Sequence, residues 1–165
     1  MAAIRSTRML TIRPYEVDDE NALAGLFAEV QAHYGVPCPP LAEILEELKR
    51  SAPGVEILVA QAASIIGFAS FATIFPGPGV KAGLFLKEIF VSKAHRNRGV
   101  GEALLRSVAA VALARGHTRV DWTADKDNPG ALRLYQRLGA EPQSQKVFFR
   151  LSGQALATLA GKSNG

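Results

Sequence analysis

The period of the apolar positions changes along the chain, and those changes predict its elements. "MLTIRP" (9–14) is short, partly β-branched and stopped by Pro14, which reads as a first strand. Asp18 and Asp19 suit a helix start, through capping and through the dipole. Leu23, Leu26, Phe27 and Val30 then recur at helical spacing. "GVPCPP" breaks that helix, and Leu41, Ile44, Leu45 and Leu48 mark a second, amphipathic one. "VEILVA" (55–60), the turn "AAS" and "IIGFASFATIF" (65–75) read as two strands. "PGPG" (76–79) turns the chain again, and "VKAGLFLKEIFV" (80–91) returns as a third, which makes an antiparallel meander.

Helical spacing resumes from about Val100 to Arg115, with a wide stripe of Leu104, Leu105, Val108, Val111 and Ala112, and Gly116 ends it. "TRVDWTA" (118–124) is a strand. "NPGALRLYQRLGA" (128–140) is a short helix, with Asn128 as N-cap, Pro129 in the first turn and Gly139 at the C-terminal cap. "KVFFRL" (146–151) reads as a last strand, and "GKSNG" as a frayed tail. The order β-α-α-β-β-β-α-β-α-β implies an α/β (α+β) fold with one mixed central sheet flanked by helices. Neither a repeat nor a linker interrupts it, so residues 1–165 are expected to form a single domain with a core of about 9–151.

Composition narrows the class without naming a function. The 165 residues are 48% hydrophobic and 21% charged, which suits a globular chain with a sizeable core. Neither a membrane span nor a secretory leader is readable, so a cytoplasmic location is expected. Cys38 is the only cysteine, which excludes an internal disulfide and a thiolate zinc cluster, and it reads as a loop residue. His33, His95 and His117 lack metal-ligand spacing, so no metal is expected. Nineteen Lys and Arg against fifteen Asp and Glu leave a net charge of +4, a weak lean toward an anionic partner.

The candidate chemistry lies in "HRNRGVGEALL" (95–105). A strand that runs through glycines into a helix offers an anion the helix's first amides, which lack internal partners, and the positive end of its dipole. Gly99 and Gly101 permit close approach of the backbone, and Arg96 and Arg98 add positive charge. A bare structural turn explains the same residues. A dinucleotide fingerprint would need a third glycine and a phosphate loop would need GxxxxGK[ST]; neither is present.

"RNRGVG" (96–101) resembles the R/Q-x-x-G-x-G/A signature of the GNAT superfamily of acyl-CoA-dependent N-acetyltransferases. "NPGALRLYQRLGA" is similar to that family's later motif N-x-x-A-x-x-x-Y-x-x-x-G-[FA], and the order of elements agrees over roughly 9–151. Within the superfamily, "LFLKEIFV" (84–91) and the stretch to Gly139 look most like the spermidine/spermine and diamine acetyltransferase branch. The resemblance implies acetyl-CoA as cosubstrate. It assigns the pantetheine arm to main-chain groups of Ile89, Phe90 and Val91. The pyrophosphate falls to backbone of Asn97, Arg98, Gly99, Val100, Gly101 and Glu102, with Arg96 as a further cofactor-binding charge beside them. Further CoA contacts fall to Asp121, Trp122, Thr123, Asn128, Pro129, Gly130 and Ala131.

For transfer of an acetyl group to an amine, the amine must lose a proton and the departing thiolate must gain one. Tyr135, on the face of its helix that carries Asn128, is the candidate acid, or else a packed core tyrosine. Glu88 is the candidate base, or else a solvated or paired carboxylate. Trp122 fits a core aromatic as well as a CoA contact. In the polyamine branch an acidic residue is expected where this chain has Lys87, which weighs against a polycation as substrate. His33, Tyr34, Phe75 and Pro76 sit where an acceptor site is expected.

The expected activity is therefore N-acetylation of a primary amine of a small molecule. A protein or peptide amine as acceptor, and a non-catalytic CoA-binding module, remain alternatives. No nucleic acid and no membrane are expected as partners, because the basic residues are scattered and the loop leads into an apolar helix. By the same resemblance a homodimer is expected.

Overall fold

The computed structural model describes residues 9–50 and 53–162. The chain divides into two units, Met1–Asp125 and Lys126–Gly165. The first holds the whole sheet, whose strands β1 (Thr11–Pro14), β2 (Val55–Gln61), β3 (Ile65–Ile74), β4 (Gly83–Val91) and β5 (Val120–Trp122) lie side by side in that order. β1 to β4 pair antiparallel, and β5 joins β4 in parallel, so the sheet is mixed. Helices α1 (Glu20–Tyr34), α2 (Leu41–Lys49) and α3 (Val100–Ala114) flank it.

Side chains alternate across a strand, so β3 divides the core in two. Phe68 faces α1 and α2 and packs with Leu23, Leu26, Val30, Ile44, Leu48 and Phe90. Gly67 and Ala69 face the other way, toward α3, whose Leu104 lies 3.4 Å from where a Gly67 Cβ would be. Asp19 closes a capping box with Glu16 at the helical turn that leads into α1, and it also pairs with β1. Its carboxylate takes two hydrogen bonds of 2.7 Å from Arg13 on β1, and one of 2.9 Å from the Glu16 amide. The lower end of β4 depends on glycine for clearance: a Cβ at Gly77 or Gly83 would run into the Arg119 side chain. That arginine's carbonyl accepts from the Leu84 amide at 3.1 Å, and its Nε donates to Asp121 at 2.9 Å, which fixes where β5 joins.

β4 carries a bulge. Phe71 pairs with Leu86 but Ser70 pairs with Glu88, so Lys87 is an extra residue without a partner across the ladder. Directly paired residues share a face. Leu84 and Leu86 therefore point to the α3 side with Thr73 and Phe71, whereas Glu88 and Phe90 point to the α1 side with Ser70 and Phe68.

The second unit contains α4 (Pro129–Arg137) and α5 (Gly153–Leu159). Asn128 caps α4 as expected, its Oδ1 accepting from the Ala131 amide at 3.1 Å, and Gly139 follows the helix at φ 84°. The expected strand at 146–151 is not formed. Its Val147, Phe148 and Phe149 are exposed and no ladder includes them, and α5 follows instead. A β-rich composition makes a strand only when a neighbouring edge takes its hydrogen bonds. Part of the expected frayed tail, 163–165, lies outside the described residues.

Candidate functional site

The bulge is where the candidate site begins. It turns Glu88 to the face of the sheet where α1 ends, and the Tyr34 hydroxyl there donates toward both carboxylate oxygens, at 3.4 and 3.3 Å. His33 stacks edge-on against Tyr34 and lies 6.2 Å from the Phe90 ring. Burial against this aromatic group pushes the Glu88 carboxyl above the usual range, because ionisation loses hydration there. The Tyr34 hydrogen bond, the neighbouring Lys87, the Ile89 amide and His33 all pull the other way without cancelling it. A carboxylate made more basic by burial is suited to taking a proton.

The edge of β4 supplies a second kind of group. The Ser92 amide donates to Ile66 on the β3 side at 2.9 Å. Backbone groups alternate in direction along an antiparallel pair, so Phe90 and Glu88 also turn their amides and carbonyls toward β3. Those of Ile89 and Val91 turn the opposite way. β5 lies on that side, but it pairs with β4 only through Leu84, Phe85 and Leu86. β5 ends at Trp122, so beyond Leu86 no β5 ladder covers β4, and Ile89 and Val91 aim main-chain polarity along that opened edge. The Val91 carbonyl is spoken for, accepting from Arg96 Nε at 3.0 Å.

The glycine loop follows. Ser92 Oγ and the Lys93 amide both donate to Glu29 of α1, at 3.0 and 3.4 Å, which ties the chain down before the loop. Asn97 and Gly99 take left-handed backbone conformations, at φ 59° and 78°. Gly99 is the N-cap of α3 and offers no side-chain cap, and the first intrahelical bond runs from the Ala103 amide to its carbonyl. The amides of Val100, Gly101 and Glu102 thus precede the helix ladder, at the positive end of a 15-residue helix. Arg98 is exposed beside them. Arg96 sits over the Phe90 ring at 5.2 Å and holds β4, so it braces the loop as well as charging it. These donors fit a phosphate-bearing group.

The match to known families follows the same residues. The model of the Acetyltransferase (GNAT) family matches residues 23–140. The chain belongs to the GNAT family. Among curated relatives, the L-ornithine N5-acetyltransferase of Arabidopsis thaliana is 32% identical over 58% of this chain and 42% of its own length. The thialysine N-epsilon-acetyltransferase of Bos taurus is 33% identical over 48% of each. The chain thus spans under half the length of these relatives. A solved integron cassette protein from the mobile metagenome of V. cholerae shares the fold, with a TM-score of 0.83 and 27% identity, over 92% of this chain and 97% of that one.

Within this GNAT chain the expected site residues fall into three groups. Glu88, Ile89, Phe90, Val91 and the 96–102 stretch gather around the upper end of β4. Phe90 is a departure within that set: its backbone serves the ladder with β3, and its ring supports His33 and Arg96. Asp121 and Trp122 pair with Phe85 and Leu86 below the bulge, with Thr123 just past the strand end. Asp121 is engaged by Arg119, and Trp122 is half-buried. Asn128, Pro129, Gly130, Ala131 and Tyr135 belong to the second unit. There Asn128 spends its side chain on the Ala131 amide, and Tyr135 is half-buried on the same face of α4. Among the described residues no group of three or more His, Cys, Asp or Glu could hold a metal, and no helix is long and apolar enough to cross a membrane. Sequence reasoning missed the Tyr34–Glu88 contact, the bulge at Lys87 and the Glu29 anchor. Each depends on residues more than 15 positions apart or on ladder register, which one sequence does not display.

Proposed function

We propose that this GNAT protein transfers the acetyl group of acetyl-CoA to a primary amine of a small molecule, and that both units form one acetyltransferase domain. The observation that carries the reading is Glu88: the bulge turns it to the α1 face, burial makes it basic, and the opened β4 edge begins one residue further on. The relatives named for ornithine and thialysine N-acetylation, and a family match that crosses both units, support it.

In this reading the Ile89 carbonyl and the Val91 amide hydrogen-bond the amide-containing arm of the donor, and the Val100, Gly101 and Glu102 amides bind its pyrophosphate. Glu88, directly or through a water, takes a proton from the amine. The nitrogen lone pair forms the new C–N bond to the thioester carbon as the C–S bond breaks. Tyr135 donates its phenolic proton to the sulfur and is later reprotonated. One amine and one thioester become one amide and one thiol, with protons balanced.

The test is thiol release from acetyl-CoA with a panel of primary amines. Turnover is expected, and Tyr135→Phe should lower kcat by about 100-fold or more with acetyl-CoA affinity kept. Equal turnover in that variant would remove Tyr135 from the reaction. Binding of acetyl-CoA without turnover of any amine would overturn the enzyme reading.

A further inference from the structure

On the α1 side of the sheet a cavity of about 760 Å³ opens between α1, α2, β2 and β3. Phe27, Ile44, Leu48, Val55 and Ile57 line it, and so does Ser70. Ser70 is the direct cross-strand partner of Glu88, and paired residues share a face, so this wall of the cavity ends one residue from the candidate base. The volume is of the size that takes a small organic molecule. Its charged lining is exposed and lies on α2: Glu43, Glu46 and Glu47, with Arg50. Two of these acids are already engaged, Glu46 with Lys49 at 3.3 Å and Glu47 with Arg50 at 3.5 Å. At the other end, Lys87 flanks Glu88.

We infer that the acceptor is a monoamine carried on an apolar body, with its nitrogen at Glu88 and its hydrocarbon lying along Phe27, Ile44, Leu48 and Ile57. The inference rests on the amine acetyltransferase reading and narrows its substrate class. Exposed carboxylates on α2 draw in an ammonium. The interior then rewards apolar surface, because hydrocarbon leaves water for a wall of hydrocarbon. A second ammonium on the same chain would be stripped of water against that wall, with Glu43, Glu46 and Glu47 confined to the exposed rim. Lys87 adds repulsion near the reacting end. The reaction is the one already balanced: alkylamine plus acetyl-CoA gives N-alkylacetamide plus CoA thiol.

The test is kcat/KM for a series of straight-chain amines from propylamine to octylamine. Their basicities are nearly equal, so chain length is the variable. Each methylene that enters the cavity should raise kcat/KM by up to about fourfold, with a gain of at least about tenfold from propylamine to hexylamine before the cavity fills. Hexylamine should exceed 1,6-hexanediamine by at least about tenfold. A response to chain length below about twofold, or a diamine that equals its monoamine, would overturn the inference while leaving the acetyltransferase reading intact. Silence with every amine, with acetyl-CoA bound, would overturn both. Val55→Lys puts a cation into the cavity wall and should cut the hexylamine-to-propylamine ratio at least about fivefold. An unchanged ratio in a variant that still binds acetyl-CoA would also count against the inference.

Discussion

Gly99→Ala separates a phosphate cradle from a structural turn. Gly99 holds φ 78° and ψ 1° at the N-cap of α3, a conformation that costs an L-residue about 1–2 kcal/mol. No atom lies within 4 Å of the Cβ that the substitution adds, so the penalty is one of backbone strain and not of collision. The protein can absorb it in two ways. If the loop keeps its shape, folding stability falls by that amount, which for a chain of this length lowers Tm by roughly 2–8 °C. If the loop relaxes, the Val100, Gly101 and Glu102 amides turn away, and a ligand they hold loses about 5- to 30-fold in affinity, the factor equivalent to 1–2 kcal/mol. Gly116→Ala provides the control. Gly116 lies just past the other end of α3, at φ 71°, and its added Cβ also meets nothing within 4 Å. Calorimetric titration with acetyl-CoA and a thermal melt on both variants decide the matter. Both should melt earlier, and Gly99→Ala alone should also bind acetyl-CoA more weakly. Equal acetyl-CoA affinity in the two variants, with Gly99→Ala melting much less early than Gly116→Ala, would show a loop that relaxes without loss of binding and would refute the assignment of these amides to the donor.

The remaining predictions concern charge. Glu88→Gln should lower kcat by about 100-fold or more with acetyl-CoA affinity retained, and a kcat within threefold of the parent would remove Glu88 as the base. Burial raises the Glu88 pKa and the Tyr34 hydrogen bond lowers it, so Tyr34→Phe should move the acid limb of the pH–rate profile to higher pH; a limb that stays or moves down would refute the coupling. Arg13 hydrogen bonds hold Asp19 below the usual carboxylate range, so its stabilisation is complete above the unfolded value of about 3.9 and disappears as pH falls through the lower folded value. Asp19→Asn should therefore cost about 2 kcal/mol in urea unfolding at pH 7 and much less near pH 2, and an equal cost at both would show that the charge is not what matters.

What the sequence made legible was local. The periods of α1, α2 and α3 and the glycines that end helices identified those elements, because each depends on residues within a few positions of one another. Asn128 was readable as a cap for the same reason, and its side chain does cap. Gly99 was readable as a special position because a left-handed N-cap disfavours other residue types. The segment 146–151 shows the limit. Its Val147, Phe148 and Phe149 have strand propensity, but propensity does not supply a partner edge, and the helix after it was not foreseen. Asp19 shows a second limit: the residue type was right for a helix start and its carboxylate does cap, at the Glu16 amide, but its pairing with Arg13 across the turn was not foreseen. The bulge shows a third, since the alternation of "LFLKEIFV" carries no mark of the residue that breaks it.

That bulge is the step on which the candidate chemistry depends. In a strand of unbroken alternation, Glu88 would share a face with Leu84 and Leu86, which are buried against the α3 side. A carboxylate there would face hydrocarbon, with neither Tyr34 nor a route to an acceptor. One extra residue, Lys87, moves Glu88 and Phe90 to the α1 face and leaves Leu84 and Leu86 in the α3 core. The same shift decides which backbone groups leave the ladder with β3, because beyond the bulge it is Ile89 and Val91 whose amides and carbonyls turn to the opened edge. A single irregularity thus sets two properties at once: the side of the sheet from which an amine meets a base, and the edge along which a donor meets main-chain partners. The two directions differ by about a right angle, since side chains leave a sheet perpendicular to its plane and hydrogen bonds lie within it. In the proposed reaction that lets donor and acceptor approach β4 without competing for one surface, and it explains why the candidate base stands at the bulge and not elsewhere on the strand.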